Sequence, residues 1–239
     1  MSGHSKWSTI KRKKEATDQA RAKIFTKIGR EMTVCVKEGG ADPSTNAKLR
    51  DLIAKAKANN VPSDNIDRVI KKASGGEDKN DYISIVYEGY GPNGIAVIVE
   101  TLTDNKNRTA GDVRHYFDKF GGNLGTSGCV SFMFQSKGIV VVENNGYDED
   151  KLMEVAMNAG AEDFKSEPEG YEIITEPGDF EAVSKALDEA GITCANASIT
   201  QLPTMITPVA PDMVENVQKL IDALEDQDDV QEVFTNADM

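Results

Sequence analysis

The chain has 239 residues, enough for two or three compact units, with 39% hydrophobic and 28% charged residues, a composition that excludes a disordered polymer. No run approaches the roughly 18 apolar residues of a membrane span and no apolar stretch follows the first charged residues, so the expectation is a cytoplasmic protein with no membrane partner. The net charge of −13 argues against nucleic acid until it is resolved along the chain: residues 1–76 hold 17 Lys and Arg against 8 Asp and Glu, whereas residues 77–239 hold 10 against 32. That asymmetry predicts a basic binding module joined to an acidic body.

The first segment, Lys6 to Lys14, carries Lys6, Lys11, Arg12, Lys13, Lys14 and the single Trp7. Such a cluster neutralises phosphates by releasing their condensed counterions. Trp7 either stacks on a base or anchors the segment on the protein. Ile24, Ile28, Met32 and Cys35 recur at helical spacing, so a helix is predicted from about Asp18 to Lys37, stopped by Gly39-Gly40. Lys23, Lys27, Arg30 and Lys37 form a cationic stripe beside that apolar one. A second helix follows Asp42-Pro43 and ends at Asn59-Asn60, burying Leu49, Leu52, Ile53 and Ala56. A third is opened by Pro62-Ser63-Asp64 and buries Ile66, Val69 and Ile70. Lys48, Arg50, Lys55 and Lys57, with Arg68, Lys71 and Lys72, extend the positive surface. Phosphate contacts position a protein without reading sequence, so the pattern supports affinity for nucleic acid and is silent on bases.

After the Gly75–Asn80 linker the periodicity changes. Tyr82 to Gly89 and Ile95 to Leu102 are predicted strands, Arg108 to Phe120 a helix, and Cys129 to Phe134 a further strand. Gly89-Tyr90-Gly91-Pro92-Asn93-Gly94 fits the dinucleotide pattern, but the strand-like Ile95–Val99 follows it where a helix N-terminus is required, which predicts a hairpin turn. The polar loop Thr103 to Thr109 is either a phosphate site, with Arg108 and Arg114 nearby, or an ordinary helix cap. Gly121 to Gly125 reads as a flexible turn, with backbone N–H groups for a phosphate as the other reading. From Ile139 the order strand, helix, strand, strand, helix, strand up to Leu202 is a ferredoxin-like unit. A strand near Met205, a helix Pro211 to Leu224 and a strand Val230 to Phe234 close the chain.

The predicted architecture is α+β with three domains: a basic three-helix bundle (1–76), a discontinuous α/β domain (77–136 plus 203–239) whose sheet the tail completes, and an inserted ferredoxin-like βαββαβ domain (137–202). Cys35, Cys129 and Cys194 lack metal-ligand spacing and are expected to be buried reduced thiols. His4 and His115 have no neighbouring nucleophile, and the acidic Glu225–Asp229 run reads as a solvated face. Neither an enzyme, a cofactor, a metal nor a small-molecule substrate is expected.

Gly3-His4-Ser5-Lys6-Trp7, Arg30-Glu31, Gly39–Pro43, Asn46, Leu49-Arg50, Asn59–Pro62, Asp64–Ile66, Tyr87–Pro92, Thr103–Asn105, Arg108-Thr109, Asp112–Arg114 and Gly121–Gly125 together resemble the YebC family. The resemblance implies a helical bundle and two α/β domains. It also implies a DNA-binding transcriptional regulator, while mitochondrial relatives activate translation of a cytochrome oxidase subunit and some bacterial members are ribosome-associated factors that assist synthesis through proline runs. Matching basic positions are Lys6, Arg21, Lys23, Lys27, Arg30, Arg108 and Arg114; Lys106 stands where many relatives have Arg, a point charge in place of a bidentate fork. The expectation is therefore a nucleic-acid-binding regulator of expression, DNA-binding first, ribosome- and RNA-binding second. The third is a protein–protein adaptor built on the acidic ferredoxin-like unit.

Overall fold

The computed structural model describes residues 18–76 and 81–239, with side chains from Ala22 onward. The fold is mixed α+β, with helices α1 (Asp18–Gly39), α2 (Ala47–Ala58) and α3 (Ser63–Ser74) preceding the strands. Ile28, Met32, Cys35 and Val36 of α1 meet Leu49, Leu52, Ala56, Ile66 and Ala73 in one buried cluster, the apolar stripes of three amphipathic helices closing on each other. Asn46 fixes the first corner. Its side-chain oxygen caps α2 by accepting from the Leu49 N–H at 3.1 Å, and its amide donates to the Cys35 and Gly40 carbonyls at the end of α1. Gly40, at φ +86°, supplies the left-handed residue that ends α1.

In the same compact unit, β1 (Ile83–Tyr90) and β2 (Ala96–Thr103) form an antiparallel hairpin. The Gly/Pro/Asn segment is its turn, with Asn93 and Gly94 both at positive φ. Helix α4 (Lys106–Lys119) leads to β3 (Asn123–Leu124), which pairs with β1. Gly121–Gly125 is thus a strand connection held by close packing: a Cβ on Gly122 would lie 2.6 Å from the Tyr90 carbonyl oxygen, and one on Gly89 the same distance from that of Asn123. The buried Glu88 carboxylate accepts the Gly128 and Val130 N–H groups at 2.7 and 2.9 Å and so pins the following loop. Helix α7 (Val214–Glu225) and β9 (Val230–Thr235) return to this unit, where β9 pairs antiparallel with β2 to give the order β3-β1-β2-β9.

The second compact unit comprises residues 131–209 and 236–239. Its strands β4 (Phe134–Glu143), β5 (Ala161–Glu167), β6 (Gly170–Thr175) and β7 (Cys194–Pro203) lie in the order β5-β6-β4-β7, all antiparallel, with α5 (Glu149–Asn158) and α6 (Phe180–Glu189) supplying the crossovers of a ferredoxin-like plan. Val140, Val142, Ile173, Leu152, Val183 and Leu187 form its main core. Strands predicted separately at Cys129–Phe134 and Ile139–Glu143 differ from the observed β4, which runs unbroken through Gly138 after a short 3-10 turn at Ser131–Met133. Gly138 is no breaker here. A Cβ at that position would lie 2.2 Å from the Thr175 hydroxyl and 2.6 Å from the Phe180 ring, so the glycine admits α6 onto the strand. The last strand, β10 (Ala237–Asp238), pairs in parallel with β8 (Thr207–Pro208). All three cysteines are free thiols, but only Cys35 is fully buried; Cys129 and Cys194 are partly exposed.

Candidate nucleic-acid interface

The cations predicted as one surface divide into two sets. Lys6, Trp7, Lys11, Arg12, Lys13 and Lys14 lie outside the described residues, as does the side chain of Arg21. Three members of the α1 stripe meet the end of α7 and the loop that follows it. Lys23 pairs with the Asp226 carboxylate, Lys27 Nζ donates to the Glu225 carbonyl at 2.6 Å, and Arg30 Nη1 donates to the Asp228 carbonyl at 2.7 Å and to Asp229 Oδ1 at 2.6 Å. Here the exposed carbonyls and negative dipole end of α7 favour cations. Arg30 also lies over the Tyr82 ring, 5.6 Å from its centroid, and Lys37 sits 3.7 Å from Asp81.

Asp229 is the hub. Besides Arg30 it accepts a fork from Arg108, Nη2 at 2.8 Å and Nε at 3.2 Å, and hydroxyl donations from Thr109 at 2.8 Å and Thr103 at 3.2 Å. The residue is only 7% exposed, which corrects the reading of Glu225–Asp229 as a solvated face at this position. Burial alone would push its carboxyl up; the hydrogen bonds from Arg108, Thr109 and Arg30 outweigh that, and the carboxyl ends below its ordinary value. Arg108 is held still more firmly protonated by its hydrogen bonds to Asp229 and Asp104. The preceding loop is a helix cap: the Asn105 side chain accepts from the Arg108 N–H at 3.1 Å, and Thr103 holds the Asn105 N–H. Arg114 lies on the exposed side of α4, away from this network.

The second set lies on α2 and α3. Lys48, Arg50, Lys57, Arg68 and Lys71 are all exposed, and among the described residues no carboxylate approaches any of them within 4 Å. Between the two helices runs a groove of about 390 Å³ with Ile53 and Ile66 on its floor, Arg50 and Lys57 on one wall, and Ser63 and Asp67 on the other. The spacing explains this. Arg50, Ile53 and Lys57 follow steps of three and four on α2, and on α3 Ile66 and Asp67 lie three and four positions after Ser63, so each trio shares one helical face. These residues were legible in sequence only as extra positive charge. The alternation of cation, isoleucine and cation at helical spacing is the signal that marks Arg50 and Lys57 out.

Among the described residues, no helix is long and apolar enough to cross a membrane. A family model described as the TACO1/YebC N-terminal domain matches residues 5–76, and one described as the TACO1/YebC second and third domain matches residues 82–237. The chain is 58% identical over 228 residues to a "Probable transcriptional regulatory protein" of Ruminiclostridium cellulolyticum, covering 95% of this chain and 92% of that one. It is 56% identical over 238 residues to a protein of the same name from Acetivibrio thermocellus, covering 99% and 98%. The crystal structure of a conserved hypothetical protein from Aquifex aeolicus superposes with a TM-score of 0.83 at 41% identity, covering 92% of this chain and 91% of that one. With both family models matched in order and identity above half along nearly the whole length, the chain belongs to the TACO1/YebC family.

Proposed function

We propose that this chain regulates gene expression by binding nucleic acid through the α2–α3 face of its helical bundle, and that it works by binding rather than by chemistry. The observation that carries the reading is the set of exposed cations, Lys48, Arg50, Lys57, Arg68 and Lys71, with no acid in contact on a chain whose net charge is −13. Exposed cations with no acid in contact are available to a phosphate backbone, whose condensed counterions they release. The relatives' name, probable transcriptional regulatory protein, supports transcription as the level of action, which makes DNA the first target to test. A second reading, RNA on the ribosome, is favoured by the engagement of the α1 stripe with the α7 loop. The longest basic row is thereby occupied within the protein, and two of the remaining cations, Arg50 and Lys57, line a concave groove instead of a ridge that could enter a duplex groove.

The test is sedimentation of cell lysate through a sucrose gradient at low and high salt, beside sequencing of crosslinked DNA and RNA fragments. Both use wild type and a variant with Arg50, Lys57, Arg68 and Lys71 changed to Gln. Salt-sensitive recovery of DNA fragments, lost in the variant, supports the transcriptional reading. Movement with ribosomal particles, lost in the same variant, supports the translational one. Wild type and variant behaving alike in both experiments would sink the proposed face.

A further inference from the structure

We propose that the groove between α2 and α3 seats one unpaired base of a single-stranded nucleic acid, with guanine preferred; this rests on the nucleic-acid reading above and names what that face recognises. The volume is near 390 Å³, at the small end of the roughly 300–1,000 Å³ typical of small-ligand pockets, which suits one base and excludes a duplex. The floor is apolar, built from Ile53 and the buried Ile66. A smooth phosphate backbone has no use for such a floor, whereas the face of a base loses water against it. Arg50 and Lys57, both exposed and with no acid in contact, stand on one wall where the phosphates flanking an inserted base would run.

The opposite wall supplies the discrimination. Asp67 lines the groove, and no cation lies within 4 Å of its carboxylate among the described residues. A carboxylate facing the cationic wall repels phosphate and accepts hydrogen bonds from a donor edge. An ionised carboxylate accepts two parallel hydrogen bonds, and among the Watson–Crick edges of the four bases only guanine presents two adjacent N–H donors, from N1 and N2. Such an edge is free only in an unpaired nucleotide. Ser63, beside it, offers a hydroxyl that can donate or accept.

The experiment is fluorescence anisotropy of the full chain with short labelled RNA and DNA single strands bearing one central guanine or uracil (thymine in DNA) in an adenine background, and with a hairpin duplex of matched length. Three variants are compared after circular dichroism confirms folding: Ser63→Leu, which fills the groove; Asp67→Asn, which removes the paired acceptor; and Arg50→Gln with Lys57→Gln. The wild type should prefer the guanine strand about tenfold over the uracil strand, as one bidentate contact implies. Ser63→Leu should weaken single strands about tenfold while leaving the duplex unchanged, and Asp67→Asn should abolish the guanine preference without weakening the uracil strand. The double cation variant should weaken every probe and flatten the salt dependence. RNA bound more tightly than DNA would assign the ribose hydroxyl a contact, and equal binding would assign the base alone. If wild type binds duplex and single strands alike and neither groove variant changes that, the groove inference is overturned while nucleic-acid binding stands. If no probe binds at any salt, the functional proposal itself falls.

Discussion

Helix α1 and the α2–α3 hairpin carry the same residue types at similar density, yet their cations meet opposite fates. Lys23, Lys27 and Arg30 are engaged by the carbonyls and carboxylates of the loop at 225–229, while Arg50, Lys57, Arg68 and Lys71 face solvent without acidic partners. The difference lies outside both regions. It depends on where α7 ends, because a helix C-terminus and the acids that follow it present a ready cation site to whatever packs beside them. A basic stripe is therefore a binding surface only when the rest of the chain supplies no closer anion.

The sharpest way to break this contrast is to remove its hub. Asp229→Ala should lower unfolding stability by about 3 kcal/mol, the low end for breaking a buried pair because the Arg108 side chain remains 44% exposed, measured by urea denaturation. A loss below about 0.5 kcal/mol, the usual ceiling for surface changes, would mean that the Arg30–Asp229–Arg108 network contributes nothing. The nucleic-acid side is next. Changing Arg50, Lys57, Arg68 and Lys71 to Gln should weaken binding of a single-stranded probe about thirtyfold or more and reduce the salt slope by roughly three, at about 0.7 per cation. Lys23→Gln with Lys27→Gln should change affinity less than twofold, and equal losses from the two variants would erase the distinction.

Acid should act through the same hub. The folded Asp229 carboxyl lies below its unfolded value, so its contribution is complete above about pH 4 and is lost as pH falls through the lower folded value. Urea midpoints should drop with acid more steeply in wild type than in Asp229→Asn; parallel curves would refute the assignment. A second carboxylate titrates in the other direction. Glu100 stands opposite Glu232 across β2 and β9, and burial, then the charges of Glu232 and Glu31, push it above the usual range. Glu100→Gln should accordingly stabilise near neutral pH by less than about 1 kcal/mol, seen as a higher melting temperature. Smallest of all, Lys23→Gln should cost no more than about 0.5 kcal/mol, since its pair with Asp226 is exposed.

Much of the fold was legible because it depends on local pattern. The three helices, the hairpin at Gly89–Gly94, the ferredoxin-like order and the return of Val230–Phe234 to the first sheet follow from periodicity and turn residues that act over a few positions. Gly138 misled because glycine is ambiguous by itself: it breaks a strand or lets a neighbour approach, and only the Phe180 ring on α6 shows which. The β3 and β10 strands escaped notice because two residues carry no period. At the candidate interface, charge was visible and pairing was not. Asp229, inside a run of acids, carries no local mark of burial, and Arg30 lies 199 residues from it in sequence.

By itself, then, the sequence determined the helices and most of the longer strands, their order, the basic character of the first 76 residues and the acidic character of the rest, since each depends on residue type and short spacing. Tertiary structure alone decided which cations remain available and that two of them border an apolar groove. Pair formation depends on distance through space, and a carboxylate buried beside two guanidiniums is fixed by packing between elements that no local pattern connects.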